Sequence, residues 1–178
     1  MNEAEIQDYL QHHFFSGRQY GIPNIYLYEW ESDFLSVTRA GYMHEYEIKI
    51  TKADFKADAG KTEKHQIVET GYRELNRYEQ MVIEDREKHG EAIPKYINVA
   101  ENNKVPSKRP NYFWYVCPDY VTDVVPDYAG LIYCKPYLKI VKPAPLLHKA
   151  KITTEMEKKI LSSFYYRYWK IRRERKAA

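Results

Sequence analysis

At 178 residues the chain is long enough to bury a core without disulfide or metal staples, and it fits one domain with room for an insertion. Its formal charge of +3 conceals an asymmetry: from Lys149 onward ten lysines and arginines face three glutamates, a net +7 that leaves −4 for the rest, so the tail reads either as facing an anionic partner or as a solvated basic helix end. Two cysteines without zinc or redox spacing, no apolar run of about 18 residues and no signal-peptide core argue against a zinc module, a membrane span and a secreted precursor, so a cytoplasmic protein is expected.

Residues 2–15 place Ile6, Leu10 and Phe14 at steps of four, with Asn2 as N-cap and Glu3 and Glu5 in the first turn, which predicts an amphipathic helix. Gly17, Gly21 and Pro23 are expected to break it. Three β-rich runs follow, Asn24 to Trp30, Asp33 to Arg39 and Met43 to Thr51, and the short Ala40-Gly41 link predicts a hairpin between the second and third. Strand alternation sets Glu45, Glu47 and Lys49 on one face and Tyr46, Ile48 and Ile50 on the other. Lys52 to Lys64 reads as a turn and a short charged helix interrupted at Gly60. Residues 65–89 read as a helix with Ile67, Tyr78, Met81 and Val82 among its apolar positions, and 90–110, with Pro94, Pro106 and Pro110, as a loop.

Residues 65–110 are therefore expected to be an insertion. Strands return at 111–117, 129–134 and 138–141, and Thr153 caps a final helix, to about Arg173, whose Ile160, Leu161, Phe164, Tyr168 and Ile171 face the core. The order predicts an α/β domain with a mixed sheet flanked by helices. The 18 tyrosines supply core area first and flat faces for stacking second.

An acid two residues before a lysine occurs at Glu47/Lys49, Asp54/Lys56, Glu157/Lys159 and Glu174/Lys176. Residues two apart share a face on a strand and diverge on a helix, so only Glu47 and Lys49, on a strand, act together. Asp33 opens the hairpin partner and can meet Glu47 across the pair. Two carboxylates can hold a hard cation such as Mg²⁺ and leave positions for water and a phosphate oxygen, and a lysine beside them can orient or deprotonate that water or offset developing charge. Spacing alone leaves an alternative, a solvated hairpin face on which Glu45, Glu47 and Lys49 make cross-strand ion pairs. The histidines His12, His13, His44, His65, His89 and His148 carry no zinc spacing; His44 and His65 are candidates to approach the site, though exposure is the safer expectation.

The run Glu31-Ser-Asp33-Phe-Leu-Ser-Val followed by Glu45-Tyr-Glu47-Ile-Lys49-Ile-Thr-Lys-Ala-Asp54-Phe-Lys-Ala-Asp58 resembles the core of the PD-(D/E)XK nuclease superfamily, and more narrowly the small bacterial and phage putative nucleases of the MmcB-like DNA-repair type. A looser match covers Tyr112 to Leu147. The resemblance implies a restriction-endonuclease-like fold. It also implies a divalent-metal-dependent DNA endonuclease working in bacterial or phage-infected cells in DNA processing or repair, with Mg²⁺ or Mn²⁺ as cofactor and DNA as partner. It makes Asp33, Glu47 and Lys49 catalytic, Asp33 and Glu47 metal ligands, and Glu5, with Glu3 as the other candidate, a further ligand from the first helix. Lys61 and Lys64 match its basic continuation as nucleic-acid contacts; beside it, the shared strand face makes Glu45 an outer-shell partner, and the basic tail makes Lys170, Arg172 and Arg173 further nucleic-acid contacts. A homodimer is compatible with it. A non-catalytic nucleic-acid-binding or assembly module on the same fold is the alternative function, and a plain interaction protein docking through its aromatic tail helix is a third.

Overall fold

A computed structural model describes residues 1–13, 17–94, 97, 99 and 104–177. The first helix, α1 (Glu3–His13), starts where expected because Asn2 and Glu5 cap each other: Asn2 Oδ1 accepts from the Glu5 amide and Glu5 Oε2 from the Asn2 amide, both at 2.9 Å. Phe14, placed on its apolar stripe, lies outside the described residues.

The next strand, β1 (Arg18–Tyr26), begins earlier than its β-rich composition suggests and runs through Gly21 and Pro23. Both residues were expected among those that end the first helix, which stops at His13, and the sheet order explains how a strand accommodates them. β1 is an edge strand, where a proline without an amide hydrogen is tolerated. At Gly21 an added Cβ would lie 2.0 Å from Gln11 Oε1 of α1, so the Gln11 side chain packs directly over the glycine.

β2 (Glu31–Thr38) and β3 (Met43–Ile48) form the predicted antiparallel hairpin, turned at Gly41 with φ +84°. α2 (Lys52–Asp58) follows, capped by Thr51, whose hydroxyl accepts from the Asp54 amide at 3.1 Å. The described chain divides into two compact units, one of Met1–Gly60 with Pro110–Ala178 and one of Lys61–Arg109. The second matches the expected insertion to within a few residues.

Inside that second unit the sequence reading needs correction. The single helix over 65–89 is two, α3 (Thr62–Thr70) and α4 (Arg77–Lys88), separated by the short strand β4 (Tyr72–Glu74). Gly71, with φ +82°, closes α3, and a capping box between Asn76 and Glu79 opens α4. The expected loop contains β5 (Lys104–Pro106), antiparallel to β4. Of the positions read as apolar, Ile67 is buried, while Tyr78 and Met81 are exposed; Val68 and Ile83 are the other buried residues of these helices.

In the first unit β6 (Tyr112–Cys117), β7 (Ala129–Tyr133) and β8 (Lys139–Lys142) complete a six-stranded mixed sheet of order β1-β2-β3-β6-β7-β8. β3, β6 and β7 are parallel to one another, and the other pairings are antiparallel. Ile6 and Leu10 of α1 pack on one face with Phe34, Tyr46, Ile48, Trp114 and Val116. Met156 and Ile160 of the last helix, α5 (Thr154–Ala177), pack on the other with Ile22, Leu35, Val37 and Met43. The architecture is therefore mixed α/β, a sheet flanked by helices on both faces.

α5 departs from its expected orientation. Ile160 is buried, but Leu161, Phe164, Tyr168 and Ile171 are between 39% and 55% exposed. Its inward stripe is Met156, Ile160, Ser163 and Arg167, and the Arg167 guanidinium donates to the backbone carbonyls of Pro23 and Asn24. No helix among the described residues is long and apolar enough to cross a membrane.

Candidate active site

The β2–β3 register pairs Leu35 with Glu45 and Phe34 with Tyr46, so period-two alternation carries Asp33 to the face and level of Glu47. In the parallel pairing on the other side of β3, Tyr115 of β6 lies beside Glu47. The face bearing Glu45, Glu47 and Lys49 is thus the one that carries Leu35, Val37 and Met43.

These charged groups are not solvated. Glu45 is 0%, Glu47 1% and Lys49 5% exposed, which rules out the exposed hairpin face that spacing alone allowed. Charges this deep persist only when paired. Lys49 Nζ donates to Glu47 Oε1 at 2.6 Å and lies 3.5 Å from Asp58 Oδ1. The other oxygen of Asp58 accepts from the Tyr115 hydroxyl at 2.9 Å. Asp33, half-buried, accepts from the Ile48 amide through Oδ2 at 2.7 Å.

The electrostatics follow from this packing. Burial, then the charge of Glu47, pushes the Asp33 carboxyl up to about 6, against the lowering pull of the Ile48 amide and Lys49. Burial alone would depress the Lys49 ammonium, but Glu47, Asp58 and Asp33 together outweigh it and hold Lys49 above its ordinary value. Burial and the neighbouring Asp58 raise the Tyr115 phenol, which stays a donor.

Asp58 and Tyr115 are site members to which sequence reasoning gave no role. The Asp54-Phe-x-x-Asp58 run was visible, and each position now has a physical reason. Asp54 sits at the capped start of α2, Phe55 packs edge-on against Tyr115 with centroids 5.0 Å apart, and Asp58, 1% exposed, pairs with Lys49. The roughly two turns of α2 bring Asp58 back to Lys49 at the end of the strand that preceded it.

Three expectations change. Glu5 is occupied in the α1 capping box and is exposed, its carboxyl lowered first by the hydrogen bonding at Asn2. Glu3 is the first-helix acid whose charge reaches Asp33. Gln7 Nε2 links the two, donating to Glu3 Oε1 at 3.0 Å and to the Asp33 carbonyl at 2.9 Å. Glu45, expected to support the site from outside, accepts instead from Trp30 Nε1 at 2.6 Å. His44 lies on the opposite face of β3, stacked on Tyr112 at 4.3 Å and accepting from Trp114 Nε1 at 3.2 Å.

Of the expected nucleic-acid contacts, Lys170, Arg172 and Arg173 are exposed on α5, with Arg172 over the Trp169 ring at 5.5 Å. Lys61 is exposed and belongs to the 61–109 unit, as does Lys64, which is 7% exposed and so poorly placed to meet a phosphate. Among the described residues no group of three or more histidine, cysteine, aspartate or glutamate side chains is arranged to hold a metal ion. The donor set is two carboxylates, which suits a hard cation that keeps part of its water shell. The upward shift of Asp33 comes first from its burial and only then from the charge of Glu47.

No protein-family model and no curated protein matches this chain. A protein of unknown function from Silicibacter pomeroyi is similar in structure, with a TM-score of 0.55 at 14% identity over 97% of this chain and 89% of that one. The likeness is one of fold.

Proposed function

We propose that the chain is a divalent-metal-dependent DNA endonuclease with a restriction-endonuclease-like core, hydrolysing phosphodiester bonds at Asp33, Glu47 and Lys49. The observation that carries this reading is the convergence of those three side chains, two acids and one lysine, on one buried sheet face at the carboxyl end of β3. In open α/β sheets, ligands bind beyond the carboxyl ends of the parallel strands. The resemblance of residues 29–65 to PD-(D/E)XK nucleases points the same way.

In this reading Asp33 and Glu47 hold Mg²⁺ or Mn²⁺, with Glu3 as the first-helix acid whose charge acts on Asp33. Bound there, the metal lowers the pKa of a water and offsets charge growing on phosphorus. Lys49 beside them orients or helps deprotonate that water, or offsets the charge developing on the phosphate. Lys170, Arg172 and Arg173 supply sequence-independent backbone contacts.

Plasmid and oligonucleotide cleavage with Mg²⁺ or Mn²⁺ tests the proposal. Wild type is expected to cut, and Asp33→Ala and Lys49→Ala to lose cutting by at least about a hundredfold while keeping their circular dichroism. Cutting by both variants at the wild-type rate sinks it. The depth of Glu47 and Lys49 favours a second reading, a module that keeps this fold and binds nucleic acid without cutting; DNA binding indifferent to metal and to Glu47→Ala, with no products on long incubation, would establish that instead.

A further inference from the structure

Lys49 has two acidic neighbours at different distances, 2.6 Å to Glu47 and 3.5 Å to Asp58, and all three side chains are almost fully buried. Asp58 is fixed from its far side by the Tyr115 hydroxyl at 2.9 Å, and Tyr115 is itself wedged by Phe55. The nearer partner, Glu47, is the carboxylate that the proposed function gives to a metal. An ammonium in contact with a ligand oxygen competes with a divalent cation for the same electron pairs and is repelled by it. Holding both at Glu47 is unfavourable, and releasing a buried ammonium with no second partner is worse.

We infer that Asp58 is a positioning residue that receives the Lys49 ammonium when a divalent cation takes the Glu47 carboxylate. The inference rests on the metal-dependent reading above. The charges agree with it. Asp58 places a negative charge beside Lys49, so the ammonium keeps a buried counter-charge when Glu47 is drawn to a cation. The geometry agrees too, because Tyr115 occupies Asp58 Oδ2 and leaves Oδ1 turned toward Lys49. Asp58 needs no contact with substrate or metal for this role. It acts through Lys49.

The test is a double-mutant cycle read by calorimetric titration of Mn²⁺ into wild type, Asp58→Asn, Lys49→Met and the double variant, with folding followed by circular dichroism. Asparagine keeps an oxygen for Tyr115 but turns an amide N–H group, uncharged and unable to accept, toward Lys49. Asp58→Asn is expected to weaken Mn²⁺ binding about tenfold or more when Lys49 is present, as loss of an outer-shell partner does. In the Lys49→Met background the same change is expected to matter by no more than about twofold, since no ammonium remains to be rehoused.

An equal loss in both backgrounds, or no loss in either, overturns the exchange while leaving the metal site standing. Failure of the wild type to bind Mn²⁺ overturns the metal-dependent reading and the exchange with it. If Asp58→Asn does not fold, Tyr115→Phe, which frees Asp58 but keeps its charge, replaces it in the cycle: a loss that depends on Lys49 supports the exchange and one that does not overturns it.

Discussion

Asp33 is where the site's electrostatics become measurable without any substrate. Its carboxyl titrates near 6 in the folded chain against an ordinary value of 3.8, chiefly through burial and then through Glu47. Between those two values the folded state holds a proton that the unfolded state has released, so stability falls as pH rises from about 4 to about 6 and the full cost is present above that. Asp33→Asn keeps an acceptor for the Ile48 amide and removes the charge. It should therefore stabilise the metal-free protein at pH 7 by on the order of 2 kcal/mol, with the gain fading as the pH approaches 4. Urea melts of the two proteins across that range check it, and a difference independent of pH would show that the Asp33 carboxyl is not raised in the folded chain. Addition of Mg²⁺ should shrink the gain from the wild-type side, because the cation favours the ionised carboxylate.

At the level of elements, α5 separates what its hydrophobicity suggests from what its packing uses. Ile160→Ala should cost about 2 to 4 kcal/mol, as truncation of a fully buried aliphatic side chain does, whereas Leu161→Ser and Tyr168→Ser should stay within about 0.5 kcal/mol. Chemical denaturation of the three variants decides it, and comparable losses in all three would mean that the outer stripe is covered. The sequence pointed to the wrong stripe because the inward one contains Ser163 and Arg167, whose guanidinium pays for its place by hydrogen bonding to the Pro23 and Asn24 carbonyls. The β2–β3 hairpin was readable for the opposite reason. Period-two alternation and the Ala40-Gly41 turn are both local, and together they placed Glu45, Glu47 and Lys49 on one face and Asp33 in the partner strand. Asp58 was not readable as a partner of Lys49, since its role depends on the turn of α2 folding back under β3 and on Tyr115 arriving from a strand more than fifty residues away. Glu3 and Glu5 likewise look alike in a first helical turn until the capping box claims one of them.

For the molecule as a whole, charge tells where a polyanion would be held. Residues 1–148 sum to −4, and the 61–109 unit within them to only +1, ten basic residues against nine acidic ones. The basic footprint is therefore α5 and the segment just before it, and within α5 Lys170, Arg172 and Arg173 are exposed together on the last turns. If these three meet phosphates, each releases about 0.9 of a counterion on binding duplex DNA, so replacing all three by glutamine should flatten the plot of log affinity against log salt by roughly 2 to 3 units. Lys61→Gln, in a nearly neutral unit, should change that slope by about one unit at most. Fluorescence anisotropy with a labelled duplex between about 50 and 200 mM salt resolves slopes of this size. A slope unmoved by the triple substitution would remove α5 from the DNA interface without touching the assignment of Asp33, Glu47 and Lys49, because the two rest on separate observations: an exposed basic helix end, and a buried cluster on β2 and β3.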